Sequence, residues 1–237
     1  MGSPRFVRDR RLLTTALRWP GGLLITWWAY VWRITPMYRR EVPGSWDVDG
    51  PPPLPAGIRV DGIQSPHHGS GAFLRRRYRV DVVDGRLHAV SVIADIRGDI
   101  NRVVPGGIAQ FRKITGNENG PLALGDEFVV RMPGPWDGPV RVVELTPTSF
   151  RFATLDGHLE AGQIEWRAQD LEDAVLRFEV ESWSRPGDRL SDIAHHRLRM
   201  AKEVQLHMWT SVLENVAKLV GGRMRAGVDI HTAVVDV

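Results

Sequence analysis

A chain of 237 residues, 43% hydrophobic and 25% charged, has room for one large domain or one domain with an extension and is composed like a folded globular protein. It contains no cysteine, which removes disulfides, thiolate metal sites and a cysteine nucleophile. The net charge of +3 is unevenly placed: residues 1–40 hold eight of the 31 basic side chains and one of the 28 acidic ones, leaving 23 and 27 beyond residue 40, a balance of −4 that lacks the positive footprint of a nucleic-acid partner.

Taken in order, the chain opens on a basic, Trp-rich extension, residues 1–40. Its apolar run Gly21–Trp32 is twelve residues long, short of the roughly twenty that span a bilayer, and no small-residue cleavage site follows it. Two readings stay open for Trp27, Trp28 and Trp32. The rings pack on the main domain, or they sit in a membrane interface while the flanking Arg side chains meet anionic lipid. The expected location is cytoplasmic, the second reading placing it at the inner face of the membrane.

Residues 41–71, with Pro51, Pro52, Pro53, Pro55 and several Gly, read as an irregular linker lying across the domain surface. A first strand is expected over Phe73–Val83, with Leu74, Arg76, Tyr78 and Val80 on one face and Phe73, Arg75, Arg77 and Arg79 on the other. A helix-like pattern follows over Arg86–Ile96, then a short helical or irregular piece and a strand near Phe111–Ile114.

Alternating strands come next, at Glu127–Met132, Val140–Leu145, Phe150–Leu155, Gln163–Gln169 and Val175–Ser184, with one apolar face and one wet face. The chain then reads as one long helix, Gly187–Val220, closed by Gly221-Gly222, and residues 223–237 as a C-terminal tail. A sheet followed by one long helix predicts an α+β fold in which a curved antiparallel sheet wraps the helix over residues 72–222, with space between them. Phe152, Trp166 and Phe178 from the sheet, with Val204 and Met208 from the helix, would line that space.

Parity along the last strand continues the inward row Leu176, Phe178, Val180 into Ser182 and Ser184. Those hydroxyls orient a ligand oxygen or bond the backbone, with Arg185 at the opening for an acidic group. Trp136, in the turn-rich loop Pro133–Pro139, is a lid or an edge cover. His158 and Glu160, in Asp156-Gly157-His158-Leu159-Glu160-Ala161-Gly162, are an acid/base pair or a turn brace. No nucleotide loop, zinc helix or nucleophile elbow is present, so no metal and no cofactor are expected.

The stretch Arg131–Pro139, the segments Thr154–Gly162 and Phe178–Arg185, and the helix Arg199–Trp209 resemble the DUF1990 (UPF0548-like) family of uncharacterised bacterial proteins with plant relatives. The extension ahead of them is similar to an actinobacterial form. More distantly, the element order resembles the START/SRPBCC helix-grip superfamily, which implies a cavity for a small apolar or amphipathic ligand. The leading expectation is therefore binding or carriage of such a ligand. The alternatives are a cavity enzyme of hydrolase or cyclase type using His158 and Glu160, and a membrane-associated interaction protein. Nothing in the sequence sets an oligomeric state.

Overall fold

The computed structural model describes residues 35–132, 137–187 and 194–236. In chain order the elements are β1 (Met37–Pro43), α1 (Trp46–Asp49), β2 (Phe73–Val83), α2 (Ala89–Gly98), β3 (Gln110–Lys113), β4 (Glu127–Arg131), β5 (Asp137–Leu145), β6 (Ser149–Thr154), β7 (Glu160–Leu171), β8 (Val175–Pro186), α3 (Ala194–Val220), β9 (Arg223–Met224) and β10 (Val228–Val235). All strands belong to one sheet in the order β1-β10-β2-β8-β7-β6-β5-β4-β3, with β9 paired to β2. Every pairing is antiparallel except β1 with β10.

The topology follows from the order of patterns. After β2 the chain crosses the concave side through α2 to the far edge, where β3 starts a meander that returns strand by strand until β8 lies beside β2. The polypeptide then runs back across the concave face as α3. This is the helix-grip arrangement expected from the sequence. The helix ends where Gly221, at φ 71°, takes the left-handed conformation that a side chain resists. Gly221 N–H donates to Lys218 O and Gly222 N–H to Ala217 O, closing its last carbonyls.

Three differences from the sequence reading have physical causes. The strand β8 continues through Ser184 to Pro186, and α3 is described from Ala194, so the helix does not begin at Gly187. Residues 223–237, read as a tail, supply β9 and β10, and β10 lies between β1 and β2 with Val228, Ile230, Ala233 and Val235 buried. Residues 37–43 form an edge strand that straddles the boundary placed at residue 40, because β10 offers an unpaired row of backbone groups to it.

The face expected to be wet is roofed. Residues 52–61 run over the convex side, where the Pro52, Pro53, Arg59 and Asp61 carbonyls accept from Gln163, Arg151 and Arg141. Beneath and beside that roof Glu181 accepts from Arg75 at 2.7 Å, Glu179 from Arg167 at 2.8 Å, and Asp81 takes Arg177 bidentately at 2.8 and 2.9 Å. Prolines explain the roof's chemistry. Residues without N–H groups cannot join the sheet, but their carbonyls remain free to receive guanidinium donors. A second small apolar cluster, Phe73, Trp183 and Val235 with Trp46 of α1 against it, pins the roof at one end.

Candidate functional site

The concave face is graded along its strands. Across β10, β2, β8, β7 and β6 the register aligns Ile230, Tyr78, Val180, Trp166 and Phe150, and all five are buried. Against them α3 places Trp209, Val212, Leu213 and Val216, also buried. Phe152, Trp166, Phe178 and Met208, expected to line a cavity, are closed core residues, because rings of this size meet one another and α3 directly.

Two residues along each strand, the next row is Thr232, Arg76, Ser182, Ile164 and Phe152, and here Phe152 is buried while the other four side chains are only half-buried. The row beyond it holds Val234, Leu74, Ser184 and Gly162. The helix faces this end with Gln205, whose Oε1 accepts from Arg76 Nη1 at 2.9 Å. The Val204 side chain, Trp136, and Trp27, Trp28 and Trp32 lie outside the described residues or side chains.

Ser182 and Ser184 point to the concave side, as parity requires, and Ser184 Oγ donates to Glu160 Oε2 at 3.2 Å. Arg185 is one residue on and therefore turns to the convex side. Its Nη1 donates to Pro66 O at 3.4 Å and its stem packs at Gly69, away from the serine row. Gly162, opposite Ser184, is dictated by close approach: a Cβ there would lie 2.0 Å from the Trp183 carbonyl oxygen. Its N–H instead donates to Thr154 Oγ1 at 2.9 Å, and Thr154 Oγ1 donates to Gly162 O at 3.2 Å.

His158 and Glu160 are brought together, though through the backbone. His158 Nδ1 lies 2.9 Å from both the Glu160 N–H and the Glu160 carbonyl oxygen, accepting from the first in one tautomer and donating to the second in the other. The opposite edge of the ring faces Gly138 of β5, where a Cβ would stand 2.9 Å from Nε2. Burial holds the imidazole below the ordinary histidine range, against the opposing pull of the Glu160 carboxylate. The ring is thus a brace across the turn that opens at Gly157, φ 96°, while the Glu160 carboxylate is directed to Ser184.

The residue that the sequence reading did not select is Arg76. Of the arginines on β2, Arg75, Arg77 and Arg79 turn outward and each reaches a carboxylate, at Glu181, Glu179 and Asp229. Arg76 alone of the four turns inward, and it makes no ion pair among the described residues. Beside it Tyr78 is buried, its phenol pushed above the usual range by desolvation, with Arg76 pulling the other way and Glu160 adding to the rise.

No helix among the described residues is long and apolar enough to cross a membrane. No functionally curated protein matches the chain. Among solved structures, a hypothetical protein of Helicobacter pylori, jhp0584, is similar at 11% identity and TM-score 0.45, over 71% of this chain and 98% of that one. Norcoclaurine synthase from Thalictrum flavum is similar at 10% identity and TM-score 0.43, over 64% and 96%. The major latex-like protein 151 of Panax ginseng is similar at 11% identity and TM-score 0.43, over 63% and 99%. No activity or ligand passes to this chain from those likenesses. Residues 107–214, from the turn before β3 into the C-terminal third of α3, match the DUF1990 family model, described as a domain of unknown function.

Proposed function

We propose that the protein binds a small amphipathic molecule on the concave face, at the end of the sheet where the N-terminal half of α3 crosses it. The observation that carries this reading is the step in packing between neighbouring rows. Ile230, Tyr78, Val180, Trp166 and Phe150 are closed, whereas in the next row only Phe152 of β6 is closed and Thr232, Arg76, Ser182 and Ile164 are not. A folding core has no use for a half-filled row containing a guanidinium and a hydroxyl, because polar groups removed from water need partners. A ligand with an apolar body would cover Ile164 and Leu74, while its polar end would meet Ser182 and Arg76.

Binding or carriage accounts for these features without a reaction. His158 is held neutral by burial and tied through Nδ1 to the Glu160 backbone, an arrangement that orients a turn. The test uses the neutral apolar dye N-phenyl-1-naphthylamine, whose fluorescence rises in apolar surroundings. Saturable binding by the full chain, lost in Ser182→Trp because the indole fills the row, is the expected result. Absence of saturable binding, or a Ser182→Trp protein that binds as well as the wild type, overturns the reading.

A further inference from the structure

We infer that Arg76 is the recognition group for a carboxylate, so that the molecule taken up on the concave face is an apolar or aromatic acid carrying a single negative charge. The inference rests on the binding reading above and specifies its chemistry. Its basis is the contrast within one strand. Arg75, Arg77 and Arg79 face the convex side and find Glu181, Glu179 and Asp229 there, so on that side the sheet supplies a carboxylate for each guanidinium. On the concave side Arg76 has neutral hydrogen-bond partners, the Gln205 amide at 2.9 Å from Nη1 and the Tyr78 phenol, and no carboxylate among the described residues.

A guanidinium partly withdrawn from water without a counter-ion is costly, and an arriving anion offsets that cost. Gln205 occupies only one Nη1 donor. The Tyr78 phenol takes a further donor, and of the five N–H groups of the planar guanidinium the remaining ones can reach a carboxylate. Ser182, directly across the β2–β8 pair from Arg76, is a hydroxyl donor on the same face. Ile164, across from Ser182 on β7, supplies the apolar surface for the remainder of the molecule.

The charge on the ligand is bounded from the other side. Glu160 lies on the same face, its Oε2 accepting from Ser184 at 3.2 Å. A fixed carboxylate near the polar end repels a dianion such as a phosphate monoester more than it repels a carboxylate. The serine hydroxyl on Glu160 is already committed as a donor, which leaves Ser182 as the hydroxyl available to the ligand. An uncharged alcohol would satisfy Ser182 but leave Arg76 uncompensated.

The experiment displaces N-phenyl-1-naphthylamine from the full chain with dodecanoate, dodecanol and dodecyl phosphate, each below its micellar range and near pH 8, where the acid is ionised. Dodecanoate is expected to displace the dye at a concentration about tenfold lower than dodecanol, the scale of one charge-assisted contact. Arg76→Gln should erase that preference, bringing dodecanoate and dodecanol to displacing concentrations within about twofold of each other. The wild-type comparison of acid with alcohol needs no variant, so the inference stays testable if Arg76→Gln fails to fold. Equal displacement by acid and alcohol, or a preference unchanged in Arg76→Gln, overturns the carboxylate assignment and leaves ligand binding standing. Dodecyl phosphate binding more tightly than dodecanoate also overturns it, in favour of a phosphate. A dye that does not bind at all sinks the underlying binding reading and this inference with it.

Discussion

Trp166 of β7 and Trp209 of α3 meet edge to face, with ring centroids 5.7 Å apart and planes at 90°. Trp166 also stacks on Phe150 at 5.4 Å and meets the edge of Phe178 at 6.4 Å, so one side chain joins three strands to the helix. It is 0% exposed. Trp166→Ala is therefore expected to lower unfolding stability by about 3–5 kcal/mol, the cost of deleting a large ring from a close-packed site. Trp166→Phe should cost clearly less, because the indole Nε1 it removes has no hydrogen-bond partner and contributes only an unmet donor. Denaturant unfolding of the two variants measures this. A Trp166→Ala protein within about 0.5 kcal/mol of the wild type, the range of an ordinary surface change, would show that the ring is not what holds sheet and helix together.

The convex face makes a separate demand. Glu181, with 4% of its side chain exposed, accepts from Arg75 Nε at 2.7 Å and lies 3.4 Å from Arg167 Nη2. Removing the acid leaves Arg75 with Asp49 at 3.2 Å and Arg167 with Glu179 at 2.8 Å as their nearest remaining carboxylates on a roofed surface. Arg75 and Arg167 keep 29% and 37% exposure, so water still reaches them. Glu181→Ala is expected to cost about 2 kcal/mol, below the ~3–5 kcal/mol of a fully buried pair broken from one side. The double variant Arg75→Met with Glu181→Met should recover part of that loss, since the Arg75 guanidinium goes with its acid, and only part, since Asp49 then loses its contact with Arg75 at 3.2 Å. Thermal unfolding across the mutant cycle reads the coupling, and a coupling near zero would mean that the two side chains act independently.

Much of this arrangement could be read along the chain because its periods are simple. Strands β2, β4, β6, β7 and β8 alternate apolar and polar residues, and the same parity put Arg76 on the face of Tyr78 and Val80. What parity could not reveal was that, among the described residues, Arg76 makes no ion pair, because that depends on which residues β8, β10 and α3 bring to the row. Strand β10 went unrecognised although Val228 and Ile230 alternate with Asp229 and His231 as a half-buried strand does. Its place after the long helix made it look like an ending. Arg185 was misplaced for the opposite reason. Its charge suggested an opening, but one step of the pleat carries it through to the other face, beside Pro66 and Gly69. The cavity residues expected from size and position are the ones that fill the space, a distinction that volume decides and sequence pattern does not.

His158 ties the site to pH. Burial depresses its folded-state pKa, so the native protein resists a proton that the unfolded chain accepts as pH falls through about 6.5. The sign follows from proton counting. Between the unfolded and the folded pKa the unfolded state carries more protons, stability rises with pH, and acidification destabilises the fold through this residue. Below the folded pKa both states are protonated, and the contribution stops changing. His158→Gln keeps an acceptor for Glu160 N–H and removes the titration. The variant should lose some stability at all pH values from the altered packing on Gly138, but it should lose less than the wild type between about pH 7.5 and 5.5. Urea unfolding of both proteins at the two pH values measures the difference in slope, the remaining histidines cancelling between them. Equal slopes would mean that the ring takes up its proton in the native state as readily as in the unfolded chain, and that its contact with the turn survives protonation.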